Sequence, residues 1–178
     1  MAQAKRKKKF FDVEMPIIGK QTQLQAYEIS ELNGRFIKYD LTRALKGKSV
    51  MLTLKVRVEG DEAITTPKKL VLMPYFIRRV MRKGTNYVED SFPAECKDAK
   101  IVIKPFLITR RKVSRAVRNA LRVKAKEELI NYVKDKTAEQ LFNETLQNQI
   151  QKPLSMKLKK VYPLALCEIK ALEIKEKN

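Results

Sequence analysis

Residues 101–126 read IVIKPFLITRRKVSRAVRNALRVKAK. The first part, residues 101–109, is rich in isoleucine, valine, leucine and phenylalanine and reads as a strand. Pro105 interrupts it. Proline has no N–H to give a ladder, so Pro105 predicts an edge strand or a bulge. The period then changes. Val113, Ala116, Val117, Ala120 and Leu121 recur at steps of three and four and share one side of a predicted helix. Arg111, Arg115, Arg118, Arg122 and Lys126 recur at four, three, four and four, forming a narrow stripe opposite that seam. The strand runs straight into the helix; with strands early and again at the end and helices in the last half, the layout expected is α+β.

The flanking sequence fills in that layout. Residues 21–29 read as a short strand, and Asn33-Gly34 is a strong turn signal leading into a second strand over 35–41. Residues 50–59 alternate cleanly, Val50, Leu52, Leu54, Val56 and Val58 on one face and Met51, Thr53, Lys55, Arg57 and Glu59 on the other. Gly60-Asp61 turns the chain, and a strand follows over 63–66. Residues 68–73 form a short apolar piece between Pro67 and Pro74; residues 75–83 read as a short helix closed by Gly84. Residues 88–97 read as irregular and locally acidic. Beyond Lys126, Leu129, Ile130 and Val133 move onto the side that carried the arginines, which predicts one long helix with two environments. Thr137 with Gln140 fits a capping box opening a helix that runs to about 151, where Pro153 punctuates it. Residues 164–174 read as a closing strand after Pro163. The expected fold is α+β, a mostly antiparallel sheet or incomplete β-barrel with two to three helices packed on it. Residues 1–20 are expected to be a flexible basic N-terminal arm, and residues 21–178 a single globular domain.

The chain has 178 residues, 44% of them apolar, enough for a real core. Its formal charge is +19, from 39 cations and 20 anions. The excess is local. Residues 5–9 hold five cations, residues 68–83 six and residues 104–126 nine, with no acid in any of the three windows. The rest of the chain carries 19 cations against 20 anions. A near-neutral body with three basic patches marks a polyanion partner. In the helical stripe, like charges one turn apart repel by about 0.2–0.5 kcal/mol per pair. No acidic residue between Ala99 and Lys126 relieves that repulsion, and a phosphate backbone would. A solvated face is the competing reading, but solvated faces usually mix signs.

Enzyme chemistry is thin. The chain has no histidine, which excludes a histidine base, a Ser-His-Asp triad and the common zinc sites. No Walker A or glycine-rich loop is present, and the acidic pairs Asp61-Glu62 and Glu89-Asp90 read as solvated turns, as do Asp12 and Glu14. Cys96 and Cys167 are far apart and read as buried thiols. No metal, cofactor or small-molecule substrate is expected. No apolar run approaches a membrane span, and the opening MAQAKRKKKFF lacks a secretory core, so a cytoplasmic location is the default. Phe10 and Phe11 either anchor the basic arm or stack on bases. Arg35-Phe36-Ile37 does not match an RNP box, and neither a GXXG loop nor a DNA-reading motif is present. Backbone recognition by arginine forks suits structured RNA.

Several tracts resemble one family. Residues 7–13 (KKKFFDV), Gly34-Arg35, residues 78–85 (RRVMRKGT), residues 109–114 (TRRKVS) through Leu121, and residues 161–164 with Glu168-Ile169-Lys170 are similar, in order and spacing, to the S3Ae (eS1) family of small-subunit ribosomal proteins of archaea and eukaryotes. Ala165-Leu166-Cys167 departs from the more charged stretch expected there. The resemblance implies an incomplete β-barrel and a structural, non-enzymatic role in translation. It implies a ribosome-bound place on the small-subunit platform near the messenger exit region. The partners it implies are small-subunit ribosomal RNA, neighbouring ribosomal proteins and messenger RNA. The length suits an archaeal-type member. The residues expected to meet RNA are Lys5, Arg6, Lys7, Lys8 and Lys9; Arg78, Arg79, Arg82 and Lys83; and Arg110, Arg111, Lys112, Arg115, Arg118, Arg122 and Lys126. A metal-dependent RNA-processing enzyme and a peripheral membrane protein held by its basic arm are the rival readings.

Overall fold

The computed structural model describes residues 7–45 and 47–175. The chain divides into two compact units, one from residues up to Tyr39 plus Leu52–Lys68, the other from Asp40–Met51 and the residues from Lys69 onward. Two long strands, β4 (Val50–Glu59) and β5 (Glu62–Leu72), contribute residues to both.

In the first unit β1 (Lys9–Met15) pairs antiparallel with β2 (Lys20–Ala26), with Lys9 opposite Ala26 and Met15 opposite Lys20. The turn between them places Gly19 at φ 66. β1 also runs parallel to the start of β5, Val13 beside Ala63. A 3-10 turn at Ile29–Leu32 and Gly34, at φ 79, lead into β3 (Phe36–Asp40). Val13, Ala26, Leu32, Val56 and Ala63 form this unit's buried core, with Phe11, Leu24, Ile29, Ile37 and Val58 packed against it. Among the described residues β1 already starts at Lys9, within the stretch 1–20 expected as an arm. Phe11, Val13 and Met15 already carry the period of a half-buried strand, but they follow a cationic run that drew the reading toward an arm. The stretch expected as a single domain, residues 21–178, is shared between the two units.

In the second unit β8 (Lys100–Thr109) pairs antiparallel with β9 (Leu164–Lys175) along one edge. Its other edge is shared by β6 (Tyr87–Glu89) and β7 (Phe92–Glu95), also antiparallel. β7 covers residues 100–103 and β6 covers residues 106–108. Pro105 falls in the gap, where no N–H is needed on that edge, and the register with β9 shifts at Lys104/Pro105. The expected bulge is there. The edge strand is not, because two short strands divide the neighbour's work. β6 and β7 occupy the stretch read as irregular. Phe92 and Ala94 are buried while Pro93 and Glu95 are exposed, an alternation too short to stand out in sequence. The end of β5 pairs with β9, Leu70 opposite Leu172, so Pro67 lies inside a strand; it sits between the last residue paired with β1, Ile64, and the first paired with β9, Lys69. Among the described residues the nine strands make one open, mixed sheet in the order β2-β1-β5-β9-β8-β6, with β3, β4 and β7 off that path.

Among the described residues four helices belong to the second unit: α1 (Pro74–Val80), α2 (Arg115–Val133), α3 (Ala138–Leu146) and α4 (Gln151–Lys159). α2 packs on β6, β7 and α4, and α3 and α4 pack on β9. The Thr137 capping box is formed, Gln140 N–H donating to Oγ1 at 3.4 Å and Thr137 N–H donating to Gln140 Oε1 at 3.2 Å. α3 ends sooner than expected, at a reversal where Asn148 takes φ 60. Pro153 does not end a helix; it stands in the first turn of α4, where its missing N–H has no helical partner to lose.

Candidate nucleic-acid interface

The two larger basic patches meet at one end of β8. Thr109, the last residue of that strand, is fully buried. Its N–H donates to the Asn86 carbonyl at 2.9 Å, and its hydroxyl accepts from the Asn86 N–H at 3.0 Å. The same hydroxyl lies 2.7 Å from the Arg111 carbonyl. The Asn86 side-chain carbonyl accepts from the Val113 N–H at 2.8 Å. Asn86 thus clasps the connector 110–113 to the segment that follows α1. The Arg110 N–H donates to the Pro163 carbonyl at 3.4 Å, closing the connector against the entry to β9.

The clasp sets up a groove of about 680 Å³ lined by Arg79, Val80, Arg82, Thr85, Ile108, Arg110 and Ala165. Arg79 comes from α1, Arg82 from the segment after it and Arg110 from the connector, so three cations separated in sequence share one recess. Arg79 is braced: its guanidinium lies 5.5 Å from the Phe76 ring centroid and donates to the Gly47 carbonyl at 3.4 Å. Among the described residues no carboxylate lies within ion-pair distance of Arg78, Arg79, Arg82, Lys83, Arg110, Arg111, Lys112, Arg115, Arg118, Arg122 or Lys126. Several acids are engaged with other cations: Glu168 with Lys48, Glu128 with Lys157 and Glu89 with Lys170.

The structure redistributes the expected stripe. α2 starts at Arg115, capped by Ser114, whose hydroxyl accepts from the Val117 N–H at 3.4 Å. Arg110, Arg111 and Lys112 therefore precede the helix and are exposed on its connector. A strand end that must bend into the clasp cannot also be a helix start. Arg115, Arg122 and Lys126 are exposed, while Arg118 is half-buried and its Nε has no acceptor among the described residues. The buried seam is Leu121, Ala125, Leu129 and Val133, not Ala116 and Ala120, which are exposed. The first turns of α2 stand clear of the core and the rest packs, as the change of environment along the helix predicted. Lys126 Nζ lies 5.8 Å from the Phe92 ring centroid.

Of the remaining predicted residues, Arg78 is exposed on α1, and Arg82 and Lys83 lie beyond its end, since the helix stops at Val80. Lys7, Lys8 and Lys9 belong to the first unit and are exposed, Lys8 Nζ standing 5.6 Å from the Tyr27 ring centroid. Lys5 and Arg6 lie outside the described residues. Sequence reading gave no role to Asn86 and took Thr109 only as the first residue of the TRRKVS tract. Their role is to place other residues, and the only signal was a turn, Gly84 at φ 84, just upstream of Asn86.

Among the described residues no three His, Cys, Asp or Glu side chains gather into a group able to hold a metal ion. No helix among them is long and apolar enough to cross a membrane. Cys96 and Cys167 are unbridged and partly buried.

Compared with known proteins, residues 2–178 match the Ribosomal S3Ae family. The chain is 29% identical over 138 residues to the small ribosomal subunit protein eS1 of Pyrobaculum aerophilum, covering 76% of this chain and 62% of that relative. It is 27% identical over 185 aligned positions to the small ribosomal subunit protein eS1 of Nanoarchaeum equitans, covering 97% and 92%. The chain thus spans under two thirds of the Pyrobaculum relative and nearly all of the Nanoarchaeum one.

Proposed function

The chain belongs to the ribosomal S3Ae family, and from that premise we propose that it is a structural constituent of the small ribosomal subunit that binds ribosomal RNA, not a catalyst. The observation that carries this reading is the groove, where Arg79, Arg82 and Arg110 face solvent with no carboxylate of the described chain in reach. Guanidinium forks match phosphate oxygens bidentately, and a recess lined from three segments recognises a backbone held in a folded shape. Arg115, Arg122 and Lys126 extend the cationic surface along roughly 16 Å of α2, at 1.5 Å per residue.

In this reading the protein sits on the platform of the subunit near the messenger exit region, beside other ribosomal proteins and within reach of messenger RNA. Lys5, Arg6, Lys7, Lys8 and Lys9 supply further cations for the same polyanion. The names of the relatives support the subunit, and the resemblance of the quoted tracts supports the location. The protein is then ribosome-bound in the cytoplasm.

Two measurements test it. Sedimentation of cell extract on a sucrose gradient should carry the chain with the small subunit; migration only with free protein would overturn the assignment. Binding of the purified protein to a structured ribosomal RNA fragment should weaken with salt, with a log–log slope of about −0.7 to −0.9 per phosphate neutralised. A flat salt dependence would remove the phosphate model.

A further inference from the structure

We propose that the outward face of β3 and β4 in the first unit is a binding surface for single-stranded RNA, with Phe36 as its stacking platform; this rests on the RNA-binding reading above. Phe36 is 60% exposed in a regular strand. The hydrogen bonds from Val56 N–H to the Arg35 carbonyl, 2.8 Å, and from Gly34 N–H to the Val56 carbonyl, 2.9 Å, pin β3 to β4. Ile37 then turns toward the unit's core, and alternation sends Phe36 and Lys38 the other way. On β4, Leu54 and Val56 are buried, which turns Lys55 and Arg57 outward beside them. Lys55 Nζ lies 5.8 Å from the Phe36 ring centroid. Lys38 and Arg57 are exposed. Glu59 on β4 and Glu62 across the turn bound the basic stretch at its far end.

The result is an exposed aromatic ring bracketed by three cations on a sheet face. Lys55 lies over the ring, and Phe36 is nevertheless 60% exposed. A base unpaired from its strand stacks on such a ring, while the Lys38 ammonium and the Arg57 guanidinium meet the phosphates beside it. Duplex RNA presents no open base face, so the surface selects single strands. The same unit holds two further lysine-capped rings, Lys8 on Tyr27 and Lys20 on Tyr39, each at 5.6 Å. Sequence inspection dismissed Phe36 because its neighbours do not form an RNP box, yet strand alternation and exposure supply the platform without one.

The test uses the full chain, a labelled unstructured 12-nucleotide RNA and a labelled RNA hairpin, with binding read by fluorescence anisotropy. F36L should weaken single-strand binding about tenfold, the scale of one lost base–aromatic stack, and leave hairpin binding within twofold. F36W should restore single-strand binding. Because the chain has no tryptophan, its emission should fall when the single strand is added and not when duplex is added. Single-strand affinity unchanged in F36L, or no quenching in F36W, overturns the inference. If F36L changes nothing while R79A/R82A/R110A abolishes hairpin binding, this surface is wrong and the groove stands. If the wild type binds neither RNA, both readings fall together.

Discussion

Lys48 and the groove arginines carry the same charge in the same unit and meet opposite fates. Lys48 is 8% exposed, and its Nζ donates to Glu168 Oε2 at 2.7 Å and to Asn148 Oδ1 at 2.9 Å. Gln151 closes the cluster, its amide donating to the Thr145 carbonyl at 2.9 Å and lying 3.4 Å from the same Glu168 oxygen. Arg79, Arg82 and Arg110 have no such company among the described residues. Burial forces the chain to supply a counter-charge, because an unpaired ion in a low-dielectric interior costs several kcal/mol. A solvated cation makes no such demand. The excess charge of +19 is therefore displayed where folding does not need it, and an outside partner can use it.

The largest effect expected from this contrast is on binding. R79A/R82A/R110A should lower affinity for structured RNA by 100-fold or more, since each charged hydrogen bond lost is worth about 1.5–3 kcal/mol. Stability should move by no more than about 0.5 kcal/mol per site, as for exposed substitutions generally. Thermal unfolding alongside anisotropy checks both, and a collapsed melting temperature would show that the arginines hold the fold. K48A should do the reverse. It strands Glu168 and should cost about 3 kcal/mol of stability, read by urea unfolding, with RNA affinity below the transition within twofold of wild type. K48M/E168L should recover most of that loss, because replacing a whole buried pair by apolar groups is often neutral.

How far each side of the contrast could be read in the sequence differs for a physical reason. The arginines were legible because acid-free runs are local in the chain, and so were β4, with its five alternating apolar residues, and the Thr137 capping box. Nothing in the sequence singles out Lys48. Its partners lie 100 and 120 positions away, and no local pattern announces a buried ion pair. The same limit hid the groove: Arg79 and Arg110 were both named, but only Asn86 and Thr109 bring them together. Where local signals misled, a tertiary neighbour overrode them. Pro105 is interior because β6 and β7 split its edge, and Pro153 opens α4 instead of closing α3.

The clasp offers a smaller and more pointed test. T109V keeps the volume of a fully buried side chain and removes the hydroxyl that serves the Asn86 N–H and the Arg111 carbonyl. It should cost about 1–2 kcal/mol of stability, the range for one buried hydrogen-bonding group left unmade. It should also weaken RNA binding about fivefold, because a connector that wanders must be ordered when RNA arrives. Loss of stability with unchanged affinity would show that the groove assembles without Asn86 and Thr109.

The smallest effect probes how closed β9 is beside the Lys48 pair. Cys167 precedes Glu168 on β9, and burial first, then the Glu168 charge, pushes its thiol up to about 12. Its native proton is therefore held more tightly than that of an unfolded cysteine, near 8.5. The sign follows: the contribution is intact below about pH 8.5 and is lost as pH rises toward 12, since only the unfolded chain gives up the proton. C167A should flatten that part of the stability–pH curve relative to wild type. At pH 8 a thiol reagent should modify Cys96, whose Sγ donates to the Ala99 carbonyl at 2.8 Å in a surface turn, at least tenfold faster than Cys167, because the thiolate is the reacting form. Equal rates in the wild type would mean that water reaches the Cys167 thiol as readily as that of Cys96, and that this face of β9 is not closed.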